Sequence, residues 1–151
     1  VLAVPPPLRV VVYRRLMLRI AERIALASGA MALVTGEAVG QVASQTLDNM
    51  AVIDSVASMP VLRPLVGMDK DEIVQEARRL GTYDVSIIPD EDCCTLFTPK
   101  HPATKARARQ VEAAEHALGV EPLVEQAVTS AVRRDLRFPA VAAKPARAIA
   151  E

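Results

Sequence analysis

Two stretches of this chain carry side chains that packing alone does not call for. The first is Thr35-Gly36-Glu37, followed at short spacing by Gly40, Gln41, Ser44 and Gln45. Glycines let a ligand approach the backbone, and amide side chains can read a purine edge or hold a phosphate oxygen. A helix N-cap with a polar helix face accounts for the same residues equally well. The second stretch is the adjacent pair Cys93 and Cys94, preceded by Pro89, Asp90, Glu91 and Asp92. A thiol there could act as a nucleophile or carry a persulfide if its pKa is lowered. The acidic neighbours oppose that shift, while Lys100, His101 and Lys105 could offset them. Taken alone, an idle or structural cysteine is the simpler reading.

Other candidates are weaker. Arg14, Arg15, Arg19 and Arg23 could bind phosphates, but a stripe of charge is more often a solvated face. His116 sits among Ala and Glu and reads as a surface residue. Two adjacent cysteines seldom pair with each other and cannot by themselves supply the four ligands of a structural zinc site. No Ser/His/Asp order, HExxH run or paired-carboxylate spacing stands out.

Composition narrows the classes. The 151 residues suffice for one domain or part of one, with 51% apolar and 24% charged residues. Lys+Arg and Asp+Glu balance at 18 each, so any basic surface must be local. Aromatics are 3% and Trp is absent, which leaves the core to Leu, Val, Ile, Met and Ala and excludes an aromatic stacking platform. No uncharged apolar run approaches the roughly 18 residues of a membrane span, and no secretory leader pattern is present. The expected location is cytoplasmic, with no membrane partner. The chain starts at Val1 with an apolar lead-in, so a piece of a longer protein is expected.

The elements that must position these residues follow from periodicity. Pro5-Pro6-Pro7 is a stiff opening, and residues 8–12 form a β-rich apolar run suited to an edge strand. Residues 13–27 read as a helix, with Leu16, Ile20 and Ile24 on one stripe, Arg15, Arg19 and Arg23 on a second, and Gly29 as the stop. Residues 31–35 read as a short buried strand ending at the glycine junction. Residues 41–58 are expected to be mostly helical, and residues 61–66 form a second strand that Pro64 makes irregular. Asp69 and Glu72 have capping-box spacing before a helix bearing Ile73, Ala77 and Leu80, which Gly81 ends. Residues 84–89 read as extended, 90–102 as a loop, and 103–118 and 122–136 as two helices. Strand, helix, strand and helix in units of about thirty residues predict βαβ crossovers on a parallel sheet. In such sheets ligands bind beyond the carboxyl ends of strands, where Thr35-Gly36-Glu37 falls. From Phe138 onward too few large apolar groups remain to pack, so residues 138–151 read as a tail.

With these pieces in order, the chain resembles the tRNA 4-thiouridine synthetases, adenylating sulfurtransferases of the PP-loop ATP pyrophosphatase superfamily. The resemblance runs from about Val10 to Ala114. It rests on Tyr13-Arg-Arg-Leu-Met-Leu-Arg-Ile-Ala-Glu22, Val34-Thr-Gly-Glu-Ala-Val-Gly-Gln-Val-Ala-Ser-Gln-Thr46, Leu62-Arg-Pro-Leu65, Asp69-Lys70, Glu91-Asp-Cys-Cys94 and Pro102-Ala-Thr-Lys105. It implies an α/β fold, a Rossmann-like parallel sheet flanked by helices of the adenine nucleotide alpha-hydrolase type. Residues 1–137 would be the second half of the catalytic domain.

The resemblance also implies a reaction. ATP, with magnesium expected alongside it, adenylates O4 of the uridine at position eight of tRNA. A persulfide on an enzyme cysteine then delivers sulfur to C4, and AMP departs. Arg14 falls at a basic ATP contact, and Gly36 and Gln45 at further nucleotide-binding positions. Cys93 falls at the catalytic cysteine and is preferred over Cys94. Arg14, Arg15, Lys100 and Lys105 could supply cations for phosphates and the tRNA backbone. The implied partners are tRNA, a cysteine desulfurase as sulfur donor, a sulfur-carrier protein of thiamine thiazole synthesis, and a second copy in a homodimer. The family's Ser-Gly-Gly-x-Asp-Ser phosphate loop, its ferredoxin-like and THUMP domains and the rhodanese domain of some members are not in this sequence. The chain alone is therefore expected to be inactive. The competing readings are another PP-loop tRNA-thiolating enzyme, which would be expected to lack the Glu91-to-Cys94 loop, and a non-catalytic RNA-binding remnant.

Overall fold

The computed structural model describes residues 3–89 and 99–134. Cys93, Cys94 and the 138–151 segment lie outside them. A 3-10 turn over Pro6–Leu8 leads directly into α1, Arg9–Ala27. Residues 8–12 are thus the start of a helix and not the expected strand. The prolines arrive with φ already suited to a first helical turn and lack N–H groups that would be unsatisfied there anyway. The β-branched Val10, Val11 and Val12 weaken a helix only slightly. In exchange the helix places Val11 and Val12 in the core beside Leu8. The helix stops as expected at Gly29, whose φ of +73° is accessible to glycine without strain.

Next comes β1, Leu33–Val34, which pairs in parallel with β2, Val61–Leu62, in the register Leu33 to Val61 and Val34 to Leu62. Both strands are shorter than the sequence suggests, and β1 is not the buried strand expected: Met31 is 87% and Val34 68% exposed. Between them run a 3-10 turn, Ala43–Gln45, and α2, Leu47–Asp54, in place of one long helix. Thr46 divides the two, with extended backbone and a hydroxyl that accepts from the Asn49 N–H at 3.3 Å. The βαβ unit is present, so the chain is an α/β fold in which a parallel sheet lies among helices.

Helix α3, Lys70–Arg79, carries the capping box expected of Asp69 and Glu72 and ends before Gly81 at φ +71°. Residues 83–86 then form a short helix, α4, Tyr83–Ser86, where extended chain was expected. The Arg78 guanidinium stacks over the Tyr83 ring, 4.6 Å from its centre, and holds α4 against α3. The last two helices are α5, Ala108–His116, and α6, Val120–Thr129. α5 begins later than expected. α6 begins two residues earlier, because Gly119 adopts a left-handed N-cap and Pro122 fits within the first turn.

α1 is the central element. It packs against α2, α5, α6 and β1, around a wholly aliphatic core that includes Val11, Leu18, Ile53, Val111 and Ala114. The stripe it buries is not the expected one. Ile24 is 41% exposed, whereas Arg15 is 3% exposed. Arg15 and Arg19 bind Glu115 of α5, and Arg23 binds Glu121 and Glu125 of α6. Arg15 is therefore not part of a solvated face, while Arg23 at the other end of the stripe stays at the surface as expected; carboxylates from the distant C-terminal helices pair with all three.

Candidate functional site

Beyond β1 the chain runs through Thr35 and Gly36 into Glu37, which is 8% exposed. Burying a carboxylate is tolerable only with charge and hydrogen-bond partners. Glu37 has three donors. Arg14 Nη1 donates to Oε1, while Arg63 Nε and Thr35 Oγ1 donate to Oε2 at 2.8 and 3.1 Å. Arg63, just after β2, reaches on through Nη2 to Asp54 Oδ1 at the end of α2, at 2.5 Å. Partial burial works against the Arg63 charge, but its hydrogen bonds and charge contacts with Asp54 and Glu37 outweigh that and raise its pKa. This network ties α1, the β1 junction, β2 and α2 together on one side of the sheet.

Beside it opens a cleft of about 510 Å³, lined by Arg14, Gly36, the turn Gln41 to Gln45, and Lys70, Ile73 and Val74 of α3. That volume lies in the usual range for small-molecule sites. The structure therefore brings Arg14, Gly36 and Gln45, distant in sequence, to the walls of one cavity. Ser44, which the sequence also singles out, lines it too. Gln45 Oε1 is buried and has no hydrogen-bond partner among the described residues. A buried acceptor without a partner is costly unless a ligand or water supplies a donor. Two cations, small and amide-bearing residues and apolar flanks suit a ligand that joins anionic groups to a flat heterocycle, as ATP does.

The remaining residues that the sequence put forward separate from this cleft. Arg15 is committed to Glu115 and is not available to phosphates or RNA. Lys105 is exposed, with Asp48 at 3.8 Å, and Lys100 and His101 are also at the surface. His116 is exposed, as expected. Cys93 and Cys94 lie outside the described residues. Among the described residues no three His, Cys, Asp or Glu side chains gather into a group able to hold a metal ion. Nor is any helix there long and apolar enough to cross a membrane.

Three participants were not singled out from sequence. Lys70 follows the capping Asp69, and that cap was the available signal for a side chain at the start of α3. Arg63 lies in the Leu62-Arg-Pro-Leu65 motif that carries the resemblance but had no role assigned to it, and Asn49 gave no such signal. Asn49 is fully buried: its Nδ2 donates to the carbonyls of Ala43 and Ala103 at 2.7 and 2.8 Å, and its Oδ1 accepts from the Ala106 N–H at 2.8 Å. It staples the turn that lines the cleft to the segment that follows the cysteine-bearing stretch. Thr46 Oγ1 adds a bond to the Thr104 carbonyl at 2.6 Å.

Comparison with known proteins converges on one family. Residues 1–120 match the family model described as thiamine biosynthesis protein (ThiI). A probable tRNA sulfurtransferase of Thermus thermophilus is 57% identical over 124 residues, which cover 82% of this chain and 30% of that protein. Another, of Moorella thermoacetica, is 58% identical over 122 residues, covering 81% and 31%. A crystal structure of a 4-thiouridine synthetase–RNA complex with bound ATP superposes with a TM-score of 0.79 at 49% identity, over 84% of this chain and 33% of that one. The chain thus spans about a third of the length of the relatives it matches. A family match over most of the chain and identity near one half across several separate motifs place it in the ThiI family, among the tRNA sulfurtransferases and 4-thiouridine synthetases.

Proposed function

We propose that this chain supplies the nucleotide-holding cleft and the sulfur-carrying cysteine of a cytoplasmic, ATP-dependent tRNA sulfurtransferase that converts uridine at position eight to 4-thiouridine. The observation that carries this reading is the meeting of Arg14, Gly36 and Gln45 in the lining of one cleft. Similarity to a synthetase whose structure contains RNA and ATP supports it. Arg14 and Lys70 would hold phosphate oxygens, Gly36 would let the nucleotide lie close to the backbone, and Gln45 would accept a hydrogen bond from it. Magnesium would accompany the phosphates. ATP supplies activation of the uracil O4, a poor leaving group otherwise.

Cys93 would carry the sulfur as a persulfide loaded by a cysteine desulfurase. Its terminal sulfur would form the bond to C4 as AMP leaves. A second thiol, Cys94 or an external one, would then attack the Cys93 sulfur, break the S–S bond and release the thiolated base. The disulfide so formed needs a reductant before the next cycle. The same persulfide could feed a sulfur-carrier protein of thiamine thiazole synthesis, in keeping with the family's description. A homodimer is part of the same reading.

The test is a chimera. The matching segment of the Thermus relative is replaced by this chain and assayed for ATP-dependent 4-thiouridine formation in unmodified tRNA, with a desulfurase and cysteine. Thiolation that is lost in Cys93→Ala, with adenylation retained, supports the assignment. Full thiolation in Cys93→Ala moves the role to Cys94 or ends the covalent mechanism. A chimera that folds and neither adenylates nor thiolates favours a non-catalytic remnant.

A further inference from the structure

We infer that Glu37 is a positioning residue of the cleft: it holds the Arg14 guanidinium ready for an anionic group of the ligand without touching that ligand itself. The inference rests on the nucleotide reading of the cleft above. Glu37 is absent from the cleft lining, whereas Arg14 forms part of it. The carboxylate reaches the cleft only through its contact with the arginine, as a positioning group must.

The geometry divides the work between its two oxygens. Oε2 is fixed by Arg63 Nε at 2.8 Å and Thr35 Oγ1 at 3.1 Å, and Arg63 is itself fixed by Asp54 at 2.5 Å. Oε1 is left to face Arg14 Nη1. The anchor is therefore rigid before Arg14 is considered. Among the described residues Glu37 is the only hydrogen-bond partner of the Arg14 guanidinium. A guanidinium has five N–H donors, so most of its fork stays available to the cleft. A free arginine side chain has many rotamers, and binding would have to restrict them. A carboxylate that restricts them beforehand raises affinity by preorganisation. Glu37 also offsets the repulsion between Arg14 and Lys70, the two cations that line the same cavity.

The test is a double-mutant cycle read by titration calorimetry with ATP and magnesium on the chimera of the Thermus relative that carries this chain, with thermal unfolding followed in parallel. Glu37→Gln and Arg14→Gln should each weaken ATP about tenfold, or 1.4 kcal/mol. The double variant should bind no more weakly than Arg14→Gln, since Glu37 acts only through that arginine. Glu37→Asp keeps the charge but retracts the oxygens, and should recover part of the loss. It also stands in if Glu37→Gln does not fold. Wild-type affinity in Glu37→Gln, or a double variant weaker by both losses together, overturns the inference while the nucleotide reading survives. A folded chimera without substitutions that gives no heat with ATP overturns the nucleotide reading, and this inference with it.

Discussion

Arg15 and Glu115, a hundred residues apart in sequence, face each other as a bidentate pair, Nε to Oε1 at 2.8 Å and Nη2 to Oε2 at 2.9 Å. Arg19 grips the same two oxygens at 2.7 and 2.9 Å, and Arg15 Nη1 reaches the Val52 carbonyl and the Ser55 hydroxyl of the α2 end. The buried Arg15–Glu115 pair thus pins α1, α2 and α5 together. Glu115→Gln leaves Arg15 charged in the core with its partner neutralised, a loss expected at about 3 kcal/mol. Urea unfolding should show the midpoint fall with an unchanged slope. Arg15→Met combined with Glu115→Leu should recover much of that loss, because Arg19 is near enough to solvent to do without a partner.

The same pin sets the acid limit of the fold. Burial pushes the Glu115 carboxyl up, but hydrogen bonds and charge from Arg19 and Arg15 win and hold it near 2, below its ordinary 4.5. A carboxylate with a lowered folded pKa binds more protons unfolded than folded below pH 4.5. Its contribution is therefore complete above that pH and drains away as the pH falls towards 2. The drop corresponds to about 3 kcal/mol. Unfolding free energies measured between pH 7 and 2.5 should decline over this window in the wild type. The Glu115→Gln protein should start lower and decline less.

Asn49 predicts a second, local loss. Its fully buried amide meets two partly buried carbonyls and one buried N–H. Asn49→Ala leaves these groups unpaired, and a buried unsatisfied group costs about 1–3 kcal/mol. A destabilisation of about 3 kcal/mol is expected, with fast hydrogen exchange at the Ala106 amide. Asn49→Asp retains the acceptor for Ala106 but loses both donors, so Ala106 should stay better protected than in the alanine variant. Equal protection in the two would show that the staple does not hold that segment.

These contrasts mark what the residues disclosed in advance. The α3 cap was legible because Asp69 and Glu72 interact across three positions, and the stops at Gly29 and Gly81 because each lies in the left-handed region. The family and its α/β architecture were legible because several motifs occur in order at fixed spacing. The buried Arg15 end of the α1 arginine stripe was misread because its partner arrives from α5, and local periodicity does not encode a partner a hundred residues away. The valines of α1 were misread because β-branched residues favour a strand until the core gives them a helical face. In the cleft, Arg14, Gly36 and Gln45 were named from sequence, whereas the supports Arg63 and Asn49 depend on contacts across the fold.

Gly36 and Gly40 separate ligand approach from backbone need. Gly36 does not adopt a positive φ, and an added Cβ would meet nothing within 4 Å, so the fold itself does not require glycine there. Gly40 has φ +82°, where an L side chain is strained by about 1–2 kcal/mol. Its N–H also closes the cleft turn onto the Gln45 carbonyl at 3.0 Å. Gly36→Ala should therefore unfold within about 0.5 kcal/mol of wild type, as an unstrained surface change does. Its ATP affinity should nevertheless fall, because the methyl group stands where the cleft wall must admit a ligand. Gly40→Ala should lose about 1 kcal/mol of stability, with a weakening of ATP that follows the disturbed turn. Thermal unfolding of both variants and ATP titration of both in the chimera with the Thermus relative decide the matter: a Gly36→Ala variant that is stable and binds ATP as the unsubstituted chimera does would remove Gly36 from the nucleotide site.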